Sequence, residues 1–192
     1  MEATRTIQPI ADGAFVDDDR LAATARTDPT AFGLLYERHV LRVYRYLRAR
    51  GAPEDVASDI TAATFERAFR HIAGYRFGHS GFPAWLIGIA RNAWIDEVRR
   101  SRPETGLAAA AEIAAVGPSP EEHAIADEER RALLTLVGTL PETARDALAL
   151  RYAAGLSSRE IGQVIGKSEA ATKKILTRAL VSLRSEATRH DR

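Results

Sequence analysis

The stretch SSREIGQVIGKSEAATKKIL, residues 157–176, constrains the fold more tightly than any other part of the chain. Ser157 and Glu160 form an S-x-x-E capping box: the hydroxyl accepts from the residue-160 amide, and the carboxylate reaches back to the cap amide. Ile161, Val164 and Ile165 give the short helix an apolar face, and Gly166 permits a left-handed turn at its end. Ser168 then caps a second helix in which Leu176, Ala179 and Leu183 recur at steps of three and four. Ala170, Lys174, Thr177 and Arg178 are expected to face outward, with Lys173 on the flank. Two capped helices around a glycine turn predict a helix-turn-helix, whose second helix enters the major groove. The other reading of the same spacing is a plain hairpin in a small bundle.

Such a unit is poorly equipped to hold DNA alone. Phosphate contacts come largely from lysine and arginine, and here Ile175, Leu180 and Val181 interrupt the series Lys173, Lys174, Arg178 and Arg184. A tethered second contact would raise its effective concentration on DNA.

The rest of the chain is also written in helices. Asp28 followed by Pro29 is an N-cap with proline at the first helical position. Phe32, Leu35, Tyr36, Val40, Val43 and Leu47 follow at helical spacing up to Gly51. A shorter helix is expected at about 19–26, another from Pro53 to about residue 70, and a long one at about 83–101. Residues 103–120 carry three prolines and two glycines and read as a linker. Helices at about 121–137, 141–154, 158–165 and 169–187 complete the chain. The expected fold class is all-α: a tail at 1–18, a helical domain at 19–102, a flexible linker at 103–120, and a helix-turn-helix domain at 121–192.

The long helix is the candidate second contact. Trp85, Gly88, Asn92, Asp96 and Arg99 fall on one face at steps of three and four. An aromatic, an amide and an arginine suit unstacked bases and their phosphates, and Arg91, Arg100 and Arg102 add charge nearby. Charge along the chain is uneven although the net is only +1. Residues 119–150 hold seven acids and three bases, and residues 151–192 hold nine bases and four acids.

Several classes are disfavoured. With no cysteine there are no disulfides or thiolate metal sites, and no cofactor is expected. The five histidines lack H-E-x-x-H spacing, and there is no phosphate-cradling glycine loop or nucleophile elbow, so the chain does not read as an enzyme. The N-terminus lacks a signal-peptide core and no apolar run approaches the roughly 20 residues of a membrane span, which favours a cytoplasmic protein with no membrane insertion.

At this point FPAWLIGIARNAWIDEVRR resembles the region 2.3–2.4 helix of bacterial extracytoplasmic-function sigma factors of the sigma-70 family. DPTAFGLLYERHVLRVYRYL resembles their region 2.1, DITAATFERAFR their region 2.2, and residues 140–184 their region 4. The resemblance implies a transcription initiation factor whose partners are core RNA polymerase (clamp helices and flap) and promoter DNA, and it suggests an anti-sigma factor. Asp55, Asp59, Phe65 and Arg67 would dock on the clamp helices. The loop 74–82 with Trp85, Gly88, Arg91, Asn92, Asp96, Arg99 and Arg100 would hold the unpaired −10 element. Ser168, Glu169, Ala171, Lys173, Lys174, Thr177 and Arg178 would read the −35 element.

The chain departs from the family's pattern in places. Ala62 and Ala63 stand where a Gln-Glu pair is frequent, Ile87 and Gly88 lie where larger sigma factors carry melting aromatics, and Ala170, Ala171, Ile175 and Leu180 replace commoner glycine, threonine or basic residues. Two alternatives remain beside this reading. A stand-alone regulator binding duplex DNA through residues 157–178 would leave the stripe on the long helix without a role. A sigma-like protein that binds polymerase without reading promoters would fit the departures.

Overall fold

A computed structural model describes residues 13–76, 81–101 and 135–190, and every regular element within them is helical. The α-helices are α1 (Gly13–Thr24), α2 (Pro29–Ala49), α3 (Glu54–His71), α4 (Gly81–Arg100), α5 (Glu142–Tyr152), α6 (Ser158–Ile165) and α7 (Glu169–His190). A short 3-10 turn, Ile72–Gly74, follows α3 and was not anticipated. Residues 77–80 of the expected loop, Arg102, the linker at 103–120 and most of the helix expected at 121–137 lie outside the described residues.

The first domain is built on α2. The Asp28 carboxylate accepts from the Thr30 amide at 2.8 Å and Pro29 opens the helix, as the sequence requires. Leu35, Val43 and Leu47 are fully buried against Phe65 and Ala68 of α3 and Leu86, Ile87 and Ala90 of α4. Each large apolar side chain so buried contributes about 1.5–3 kcal/mol. Tyr36 shares the apolar spacing but stays 45% exposed, with its ring edge-on to Phe65.

α1 starts at Gly13, earlier than the expected Asp19. Its acids explain why it is there. Asp18 is buried and takes His39 Nε2 at 2.9 Å and Arg38 at 3.0 Å, both from α2. One oxygen of Asp19 accepts from the Tyr75 hydroxyl at 2.7 Å and the Phe82 amide at 3.1 Å, joining the end of the 3-10 turn to the start of α4.

In the second domain, Ala147 and Leu150 of α5, Leu156 and Ile161 form a small core that α7 closes with Leu176 and Ala179. The two domains meet: α6 packs on α4, and α5 touches α2.

Candidate nucleic-acid interface

The helix-turn-helix forms as its residues dictate. The Ser157 hydroxyl accepts from the Glu160 amide at 3.3 Å, and the Ser157 amide donates to Glu160 at 2.7 Å. Gly166 adopts φ 68°, a left-handed conformation open to glycine at little cost. Four residues earlier, a Cβ on Gly162 would lie 2.5 Å from the Lys167 carbonyl oxygen and 3.2 Å from the Thr172 hydroxyl. Only glycine lets α6 approach the turn and α7 this closely.

On α7, Ser168 caps the helix by accepting from the Ala171 amide at 3.2 Å. Ser168, Glu169, Lys173, Lys174, Thr177 and Arg178 are exposed, and Ala171 is half-buried. Lys173 pairs with Glu169 at 2.6 Å and holds that carboxyl below its ordinary range, so part of the helix's positive charge is already answered within it.

On α4, Asn92, Asp96, Arg99 and Arg100 are exposed, while Trp85 and Gly88 are half-buried above them. Trp85 packs on Tyr75 and Phe82 at centroid distances of 5.0 and 5.6 Å, so its indole is anchored at one edge of the stripe. Ile87 is fully buried and belongs to the core, leaving Gly88 as the surface position of that pair. Gln163 and Val164 of α6 face Trp85, Gly88 and Asn92 across a shallow groove.

The expected docking helix, α3, presents Asp55, Asp59 and Arg67 to solvent together with Ala62 and Ala63. Phe65 corrects the expectation. It is 4% exposed, edge-on to Phe32 and Tyr36, and supports the helix from inside. The packing of α2 against α3 draws it inward.

Arg91 is a second surprise. Its Nε donates to Asp146 of α5 at 2.5 Å. Asp146 is 3% exposed and also accepts from the Tyr46 hydroxyl at 2.9 Å, with Arg50 Nε 3.4 Å away. Arg50 also pairs with Glu142, one turn before Asp146. Burial works to raise the Glu142 carboxyl, but Arg50 and Arg145 outweigh it and hold the group below its ordinary range. Burial first, and the Asp146 charge second, push the Tyr46 hydroxyl well above its ordinary value. Burial also pushes the Arg42 guanidinium down against the opposing pull of Asp18 and Glu160.

Thus Arg42 and Tyr46 of α2 and Arg50 at its C-cap, four residues apart in turn, run opposite the acids Glu160, Asp146 and Glu142. Tyr46, Arg50 and Asp146 were not anticipated as site residues. Their signal in the sequence was slight: Tyr46 and Arg50 on one side and Glu142 and Asp146 on the other are each four apart, but nothing local joined the two pairs.

Residues 35–104 match the family described as Sigma-70 region 2, and residues 130–183 match Sigma-70, region 4. The chain is 36% identical over 155 residues to the ECF RNA polymerase sigma factor BldN of Streptomyces coelicolor. That match covers 80% of this chain and 59% of BldN, so the chain spans little more than half of that relative. It is 31% identical over 151 residues to the ECF RNA polymerase sigma factor SigM of Bacillus subtilis, covering 79% of this chain and 91% of SigM. Among solved structures, CnrH in complex with the cytosolic domain of CnrY aligns with a TM-score of 0.70 and 25% identity, covering 90% of this chain and 97% of that one.

Proposed function

Because the chain belongs to the sigma-70 family, among its extracytoplasmic-function sigma factors, we propose that it is a transcription initiation factor that binds core RNA polymerase, reads −35 and −10 promoter elements and helps open the −10 duplex. In this reading it has no enzymatic activity of its own and works in the cytoplasm. No helix of the described residues is long and apolar enough to cross a membrane.

One observation carries the reading: a single chain presents two separate DNA-suited faces. On α7 these are Lys174, Thr177 and Arg178, exposed in a properly capped helix-turn-helix, with Ser168, Glu169, Ala171 and Lys173 at its start. On α4 they are Asn92, Asp96 and Arg99, with Trp85, Gly88, Arg91 and Arg100 around them. The first would read the −35 element as duplex in the major groove. The second would hold unpaired −10 bases, and capture of those bases shifts the duplex-to-bubble equilibrium. The exposed side of α3, with Asp55, Asp59 and Arg67, would dock on the polymerase clamp helices, and the second domain on the flap. Since polymerase supplies most of the nonspecific grip, few arginines on α7 suffice. CnrH was solved with the cytosolic domain of CnrY, and by that likeness an anti-sigma partner is proposed here too.

Run-off transcription with purified core RNA polymerase on fragmented genomic DNA of the source organism tests the reading. Discrete start sites that depend on the protein are expected, and absence of both transcripts and polymerase binding would hand the case to a stand-alone regulator. Replacing Asn92→Ala together with Arg99→Ala should abolish open-complex formation, scored by permanganate reactivity of unpaired thymines, while polymerase binding persists. Loss of polymerase binding instead would count against the assignment of α4.

A further inference from the structure

We propose that Tyr46, Arg50 and Arg91 of the first domain form a phosphate cradle, which the Asp146 carboxylate fills when the two domains are closed and a DNA backbone phosphate fills when they part. The proposal rests on the promoter-binding reading above, and it adds a ligand site and an internal competitor for it.

The geometry is that of an anion site. Three donors from two helices converge on one carboxylate: the Tyr46 hydroxyl at 2.9 Å and Arg50 Nε at 3.4 Å from one oxygen, and Arg91 Nε at 2.5 Å from the other. The Arg50 side chain is only 7% exposed and its Nε makes no hydrogen bond, although it lies 3.4 Å from the same anion. A carboxylate offers two oxygens and one charge. A phosphodiester also carries one charge, but spreads it over two oxygens in tetrahedral array beside two ester oxygens, which suits a cradle with one donor left over. In the closed arrangement two guanidinium groups, 7% and 25% exposed, face one buried carboxylate, which balances their charge there.

The position of the cradle selects DNA as the second anion. Arg91 precedes Asn92 directly on α4, so a phosphate between Arg91 and Arg50 would start its strand at the edge of the Trp85–Gly88–Asn92 groove. Gln163 and Val164 of α6 form the other wall of that groove in the closed arrangement. One movement of the second domain therefore frees the phosphate site and the half-buried Trp85–Gly88 end of the stripe together. Closed chain and strand-bound chain exclude each other, and apparent DNA affinity is reduced by the fraction of molecules that are open.

The test uses the full chain, whose lack of cysteine allows clean labelling at Ser58→Cys and Ser182→Cys. Interlabel energy transfer reports closure, and anisotropy of a fluorescein-labelled single-stranded 20-mer reports binding. Asp146→Asn keeps the side-chain shape and removes the charge. It should lengthen the interlabel distance and tighten oligonucleotide binding about tenfold, as expected if about one molecule in ten is open before the change. Adding Arg50→Gln should reverse the gain and reduce the slope of log affinity against log salt by about 0.7, one single-strand phosphate contact. Should Asp146→Asn misfold by circular dichroism, Glu142→Gln, at an exposed partner of Arg50, should move both readouts in the same direction by less.

Unchanged distance and affinity in the folded variant would overturn the proposal. A gain indifferent to Arg50→Gln would overturn the cradle, and an interlabel distance that lengthens with inorganic phosphate but not with the oligonucleotide, at matched ionic strength, would overturn its assignment to DNA. Run-off transcription by the wild-type chain separates the two readings. If it succeeds while these arms fail, only the cradle falls; if it fails while they succeed, the anion site stands and the initiation role falls.

Discussion

Gly162 and Gly88 both lie inside helices, and their surroundings give them opposite meanings. At Gly162 the Lys167 carbonyl oxygen leaves no room for a Cβ, and that oxygen is backbone held by the turn itself. Gly162→Ala should therefore lower the stability of the second domain by about 1–3 kcal/mol, as overpacking does, and thermal unfolding followed by circular dichroism would register it. At Gly88 nothing lies within 4 Å of the Cβ position. Gly88→Ala should instead stabilise α4 by roughly 0.5–1 kcal/mol, the helical preference of alanine over glycine. If it also weakens promoter opening while binding to polymerase is unchanged, the open surface at Gly88 is what the strand needs.

At the scale of helices, α1 shows how one carboxylate fixes an element that has little apolar surface of its own. Burial works to raise the Asp18 carboxyl, but His39 and Arg38 outweigh it and hold the group below its ordinary value. A depressed carboxyl contributes stability above its unfolded value of about 3.9, and that contribution disappears as pH falls through the folded value. Asp18→Asn should cost about 1–3 kcal/mol at pH 7 by removing the carboxylate that the buried His39 contacts, and the gap from wild type in urea unfolding should shrink towards pH 3. Helices were the most legible part of the sequence because their ends are local chemistry: Asp28–Pro29, the Ser157–Glu160 box and Gly166 all act where the sequence places them. What α1 does was not legible, since His39 lies 21 residues from Asp18 on another helix. Phe65 was misread for the same reason, because its burial depends on Phe32 and Tyr36 of α2.

For the molecule as a whole, the arrangement of the two domains carries most of what local patterning could not supply. The α4 stripe and the α7 face could be drawn from periodicity, but the contact of Asp146 with Tyr46, Arg50 and Arg91 joins residues 55 to 100 positions apart. That contact has a pH signature. The Tyr46 hydroxyl is raised by burial and by Asp146, so closure is fully favoured below the ordinary tyrosine value of about 10 and weakens as pH rises beyond it. Interlabel energy transfer should fall above about pH 10 in wild type, and Tyr46→Phe should remove that limb while leaving the domains helical. The contact also has a direction in time. Arg91 is made 55 residues before Asp146, and ribosomes add roughly 5–20 residues per second. The nascent first domain therefore spends several seconds with its two arginines in place and their acceptor not yet synthesised. Each new molecule is born uncovered and becomes covered only as its second half emerges.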